Sequence, residues 1–299
     1  MTRVQGASKL IDRQTDQAAG LRSILGVQSS RQFAFVSAIT GPQKFAVMSN
    51  LAAAFVHSGS EVMLLDASHN KDSIRRRLPS DKSVALWDLI SADAPAEDYV
   101  HESSPGIRWC QLSHAPLHEL APHPKAIQQL SAAFKELSEK SNVWLVDIDH
   151  EQDPPFALPE LSNAELIVLT SCQTATIKRA YALIKSLYTQ LGRRSIHLLV
   201  YAATAEQAAV VQRNMAKAAS EFLTMTVLPL GNLPVDEDLA RAMQMKRSVI
   251  EAFPRSASSS AFKKIASKLL QYNASNRVAS PRGKQTGNMT PPVKGLANV

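Results

Sequence analysis

The chain has 299 residues, 45% of them apolar, and a formal net charge of +7. That length holds one large α/β domain or two small ones, and the lack of any run of about 18 apolar residues excludes a transmembrane helix. Two cysteines in apolar context, Cys110 and Cys172, and an N-terminus without a secretory apolar stretch lead us to expect a cytoplasmic protein with no disulfide or zinc site.

Part of the positive charge is local, because Arg277, Arg282, Lys284 and Lys294 follow Asn273 without an intervening acid. Basic tails of this kind are usually solvated, so the charge alone does not make a nucleic-acid binder.

Residues 1–30 are polar, except that Leu10, Ile11, Ala18, Leu21, Ile24 and Leu25 fall roughly at helical spacing. Asp16 can cap a short helix there and Gly26 can end it. A helix this short is marginal in water unless it packs against something else. Residues 33–36 read as a buried strand and 45–57 as a helix, with Gly41 and Lys44 in the loop between them. A phosphate loop needs glycines so that N–H groups turn inward, a lysine for the outer phosphates, and a Ser or Thr hydroxyl for Mg²⁺. Gly41 and Lys44 keep that frame, but Phe45 replaces the hydroxyl, and Thr40 and Gln43 stand where glycine would give a tighter cradle.

Residues 62–66 form a second apolar run ending in Asp66, followed by the arginine-rich segment KDSIRRRLP. A short helix is expected over 83–90, a strand over 107–112, and a helix over 125–140. Residues 143–149 read as a strand ending in acids, then a loop broken by prolines. The strand 165–170 precedes a helix over 174–191 that Gly192 closes. After it come a strand at 196–201, a helix at 205–222, a strand at 225–230, a turn into a helix at 231–239, and a last helix at 261–272.

Short apolar strands alternating with longer helices predict an α/β fold, a doubly wound, mostly parallel sheet with helices on both faces. One domain is expected over 31–272, with an N-terminal arm at 1–30 and a basic tail at 273–299 expected to be disordered. Ligands of such folds sit beyond the C-terminal ends of the strands, which puts residues 40–44, Asp66, Asp147 and Thr170 on one rim. Asp147 and Asp149 are read as pointing to opposite faces, a poor geometry for a catalytic dyad.

Three other groups read as structural. His114, His118 and His123 have a loose metal-like spacing but lie in a Pro-containing loop without a nearby cysteine. Arg75, Arg76 and Arg77 read as a solvated face, with nucleic acid or anionic lipid as the functional alternative. Phe262, Ile265 and Leu269 alternate with Lys263, Lys264 and Lys268 as in a helix packed on a core rather than on a membrane.

Asp16-Gln17-Ala18-Ala19-Gly20-Leu21-Arg22 resembles the N-terminal DQAxxLR signature of the flagellar number regulators FlhG and FleN, a subfamily of the MinD/ParA-type deviant-phosphate-loop ATPases. Residues 175–187 resemble the helix after that subfamily's fifth strand, and 231–262 its final strand-turn-helix region; the likeness spans roughly 12–272. It implies a MinD-like P-loop fold and a role in flagellar number, placement and biosynthesis. It also implies an N-terminal helix that docks on the signal-recognition-type GTPase FlhF and stimulates its hydrolysis. On this chain the docking residues are Asp16, Gln17, Leu21 and Arg22, with Gln17 orienting the attacking water, Leu21 anchoring and Arg22 pairing with an acid. Basal-body or transcription-regulator proteins are further implied partners, with recruitment to the cell pole or flagellar base and no stable membrane insertion.

The chain departs from the family pattern where nucleotide chemistry is done. The loop KGGxGK[TS] corresponds to Ile39, Thr40, Gly41, Pro42, Gln43, Lys44 and Phe45, so the deviant lysine is Ile39. The aspartate pair after the second strand is Asp66 and Ser68; the switch DTGAG is Asp147, Ile148, Asp149, His150 and Glu151; the adenine-reading asparagine is Tyr201. The resemblance thus implies a relic nucleotide site at Gly41, Lys44, Asp66, Asp147 and Pro234, with no catalytic residue and with ATP and Mg²⁺ doubtful. Losing one preorganised donor costs on the order of 10²- to 10³-fold in rate, and here groups of several roles are absent together. The expectation is a regulator that acts by binding. Two alternatives stay open, an active MinD-like ATPase with a rebuilt loop and a ParA-like DNA-associated protein.

Overall fold

Apolar runs of five to seven residues can bury both faces only inside a sheet covered by helices on each side, and the chain uses them so. The computed structural model describes residues 30–78, 83–92, 94–116, 119–120, 124–149, 158 and 161–278, with side chains to Tyr272. Asp16, Gln17, Leu21 and Arg22, together with His118, His123, Glu151 and the tail from 279, lie outside the described residues.

The strands are β1 (Arg31–Ser37), β2 (Val62–Ala67), β3 (His101–Ser104), β4 (Ile107–Gln111), β5 (Val143–Ile148), β6 (Glu165–Ser171), β7 (Ser195–Tyr201) and β8 (Thr226–Asn232). They form one sheet in the order β3-β4-β2-β5-β1-β6-β7-β8. All neighbouring pairs are parallel except the β3–β4 edge. The helices are α1 (Gly41–His57), α2 (Leu89–Ala92), α3 (Pro124–Glu139), α4 (Thr174–Leu191), α5 (Ala205–Leu223), α6 (Glu237–Gln244), α7 (Val249–Ala252) and α8 (Ala257–Val278). The doubly wound, mostly parallel architecture expected from the sequence is the one observed.

Alternation along the strands divides the core in two, because successive side chains leave opposite faces. Phe33 and Phe35 of β1 with Leu64 and Leu145 face α1 and α8, whereas Ala34 and Val36 with Leu65 and Val146 face α3, α4 and α5. The lysine-rich last helix puts Phe262, Ile265 and Leu269 into the α1-side core, as its periodicity predicts. Asn50 of α1 is fully buried, donating to the Ala46 carbonyl at 2.8 Å and accepting the Val249 N–H at 2.6 Å, which fixes α7 against α1.

Some boundaries differ from expectation for identifiable reasons. The first helix begins at Gly41 rather than 45, since Pro42 is suited to a first turn whose N–H groups have no intrahelical partner. Over 83–90 there is a 3-10 turn (Leu86–Asp88) that runs into the single turn α2 rather than one helix. The edge strand β3 (HESS) went unpredicted: it is polar and half-exposed, and it owes its form to pairing with β4. Among the described residues no helix is long and apolar enough to cross a membrane.

Candidate functional site

The rim at the C-terminal ends of β1, β2 and β5 is where a parallel sheet places ligands, and it carries the loop from Ser37 to Lys44. Asp66 and Asp147 are register partners on β2 and β5, with side chains on the α1 face. Both are buried, and so is Lys44 one turn into α1. Three of the five relic-site residues therefore meet. Gly41 borders the same point, while Pro234 lies beyond β8 at the far edge of the sheet.

Lys44 does not face open space. Its Nζ donates to both carboxylate oxygens of Asp147, at 2.7 and 2.8 Å, in a pair only a few per cent exposed. Asp147 accepts a further bond from the Ile74 backbone N–H at 3.0 Å. Asp66 accepts from the Ser73 hydroxyl at 2.6 Å and the Ser68 N–H at 3.1 Å. The segment after β2 thus folds back over the ends of β2 and β5 and stitches both acids to itself.

The loop's backbone donors are engaged by the same chain. The Gly41 N–H, the first of the helix, donates to Asp72 Oδ1 at 3.0 Å. The Thr40 N–H donates to the Gln43 side-chain oxygen at 3.2 Å, and the Ile39 N–H to Ser37 Oγ at 3.2 Å. A carboxylate at a helix N-terminus satisfies the same partial charge that a phosphate would, and Asp72 supplies it from within. Gly41 is required by that approach: a Cβ there would lie 2.5 Å from Asp72 Oδ1 and 2.9 Å from the Asp72 Cα. The space left between the loop, Asp72, Asp149 and Arg179 is about 20 Å³, against roughly 300 Å³ or more for a typical small-molecule site. Phe45 points away, and Ile39 is buried in the α1-side core. In this arrangement the residues present do not fit Mg·ATP.

Electrostatics follow from burial. Two carboxylates side by side in a dry site cannot both ionise freely. Burial raises the Asp147 carboxyl, and the Lys44 ammonium opposes that rise. Asp66, raised first by burial and then by the Asp147 charge, is pushed up to about 7. The direct ion pair with Lys44 favours the charged form of Asp147, and burial beside that charge favours the protonated form of Asp66. One expectation fails here: Asp147 and Asp149 do not diverge, because residues two apart on an extended chain share a side, and the Asp149 charge further raises Asp147.

Elsewhere His114 pairs with Asp88 at 2.9 Å. Among the described residues no group of three His, Cys, Asp or Glu could hold a metal ion. Cys110 is buried and Cys172 half-buried just past β6, both as free thiols. Tyr201, which the resemblance aligns with an adenine-reading asparagine, is half-buried at the end of β7. Sequence reasoning missed Asp72, Ser73 and the Ile74 N–H, since nothing in KDSIRRRLP indicates that the segment turns back on the loop.

Two consequences are measurable. Lys44→Met leaves the two acids buried without a cation, so unfolding should be easier by about 3–5 kcal/mol. That corresponds to a melting temperature roughly 6–20 °C lower, partly restored by adding Asp147→Asn. The second concerns pH. Asp66 ionises near 3.8 when unexposed to these neighbours and near 7 in the fold, so the folded state binds the extra proton between those values. The stability this group contributes is complete below pH about 4 and is lost as pH rises through about 7, at up to ~1.4 kcal/mol per pH unit. Urea unfolding across that range should show the slope in the parent chain and a flatter one in Asp66→Asn.

The chain is similar to known proteins along most of its length. It is 28% identical over 253 residues to the Antiactivator FleN of Pseudomonas aeruginosa, spanning 83% of this chain and 89% of FleN. A shorter stretch of 140 residues, 42% of this chain and 18% of the relative, is 28% identical to the putative tyrosine-protein kinase EpsB of Ralstonia solanacearum. Among solved structures, the septum site-determining protein MinD of Pyrococcus horikoshii, complexed with Mg-ADP, superimposes with a TM-score of 0.58 at 19% identity, covering 82% of this chain and 97% of MinD. The ParA family ATPase of Chlorobium tepidum gives 0.56 at 18% identity, over 81% of this chain and 98% of its own. These structures share the fold. No protein-family model matches the chain.

Proposed function

Because the chain is a MinD/ParA-type P-loop protein of the FlhG/FleN subfamily, we propose that it regulates flagellar number or placement as a binding protein that does not turn over ATP. The observation that carries this reading is the engagement of the phosphate loop. The Ile39, Thr40 and Gly41 N–H groups and the Lys44 ammonium all bond to side chains of the same chain. Phosphoryl transfer depends on such donors being aimed at the transferring group. A loop that has turned each of them inward keeps the architecture of a switch without its chemistry.

Binding then does the work. The FleN relative is named an antiactivator, and in this reading the present chain acts on another protein. In this proposal Asp16, Gln17, Leu21 and Arg22 engage an FlhF-like GTPase, Gln17 orienting the attacking water in trans, while the α/β body serves as the scaffold. The protein would act from the cytoplasm, at the cell pole or flagellar base.

The test is GTP turnover by the FlhF-like GTPase with and without the full chain. The expected result is a stimulated rate that falls at least tenfold in Gln17→Ala and is indifferent to added ATP or ADP. An unchanged rate with the parent chain, or equal stimulation by the variant, would remove the activator role.

A further inference from the structure

The arginine run after β2 is left unused by this function, and the structure gives it a setting that no local pattern reveals. Arg76 and Arg77 stand at a cavity of about 670 Å³ together with Lys246 and Arg247, which arrive from the turn after α6. Phe45 of α1, Leu78 and Met243 of α6 line the same cavity with apolar surface. It therefore joins an apolar floor to a rim of four cations, and the one carboxylate among its lining residues is Glu251.

The turn that brings Lys246 and Arg247 there is held in place. Lys246 has φ +54°, a left-handed conformation uncommon for a residue with a side chain. The Lys246 N–H donates to the Met243 carbonyl at 3.1 Å and the Arg247 N–H to the Ala242 carbonyl at 3.0 Å, closing the turn over the end of α6. Among the described residues none of the four cations forms an ion pair. Like charges gathered at one mouth repel one another, and an anion placed among them relieves that repulsion.

We propose that this cavity is a binding site for a small organic anion with an apolar body, of which an aryl phosphate is the simplest representative. The volume falls within the range of roughly 300–1,000 Å³ usual for such ligands. Guanidinium groups from two sides suit a phosphate, which accepts paired N–H bonds and carries about −1.5 to −2 charge at neutral pH. Phe45, Leu78 and Met243 take the apolar body. The site lies on the outer side of the phosphate loop, whose Pro42 and Phe45 line it, and it shares a second segment with the buried rim. The turn that offers Arg76 and Arg77 outward begins at Ile74, whose N–H holds Asp147 on the inner side. An occupant therefore rests on the turn that closes the loop.

Calorimetric titration of the full chain with 1-naphthyl phosphate, inorganic phosphate and 1-naphthol tests this, alongside the double variants Arg77→Ala/Arg247→Ala and Arg76→Ala/Lys246→Ala. Arg76, Lys246 and Arg247 are exposed and Arg77 is half-buried, and unaltered melting temperatures verify the fold. Naphthyl phosphate should bind one to one, at least tenfold tighter than either fragment, and more weakly as salt is raised. Each double variant should weaken it at least tenfold. No binding by the parent chain, binding that either double variant leaves untouched, or inorganic phosphate binding as tightly as the aryl ester would overturn the proposal.

Discussion

The ion pair between Lys44 and Asp147 is the constraint around which the rim is organised. Two acids on adjacent strands, Asp66 and Asp147, would repel each other in a dry site if left alone. A single ammonium at 2.7 Å from Asp147 settles the charge, and the segment Ser68–Ile74 supplies the remaining hydrogen bonds from backbone and hydroxyl donors. A buried pair of this kind contributes little net stability compared with apolar packing, yet breaking it is costly because one charge is stranded. It therefore acts as a clasp: two of the three Lys44 N–H donors are held inward by Asp147, and releasing them leaves the buried acids without a counter-charge.

The clasp has a second half at the helix terminus. In a phosphate loop the first N–H groups of the helix and a lysine converge on one anion. Here the anion at the Gly41 N–H is the Asp72 carboxylate, carried by the same segment that binds Asp147 through Ile74. One stretch of chain thereby answers the Gly41 N–H directly and helps fix the carboxylate that answers Lys44. The sheet and helices are specified by the apolar core, to which the loop chemistry contributes little.

The sheet was legible because each central strand is an uninterrupted apolar run and each long helix shows its own periodicity. The helix from Thr174 to Leu191 and its stop at Gly192, with φ +69°, are local signals that tertiary structure did not override. What could not be read depends on pairing across long sequence distance. β3 is polar and exists only against β4; Asp72 matters only because its loop folds over Gly41; Arg76 and Arg77 gain meaning only beside Lys246 and Arg247. Gly41 makes the point in one residue. Sequence marks it as a phosphate-loop glycine, whereas in the fold its missing side chain makes room for Asp72.

The central claim is that the loop's anion-binding groups are already satisfied from within. It is tested most directly by isothermal titration of the full chain with Mg·ATP at moderate ionic strength. The account predicts no saturable heat up to about 1 mM nucleotide, the level at which binding is worth no more than about 4 kcal/mol. One-to-one binding with a dissociation constant near 1 μM, abolished by Lys44→Ala, would contradict it.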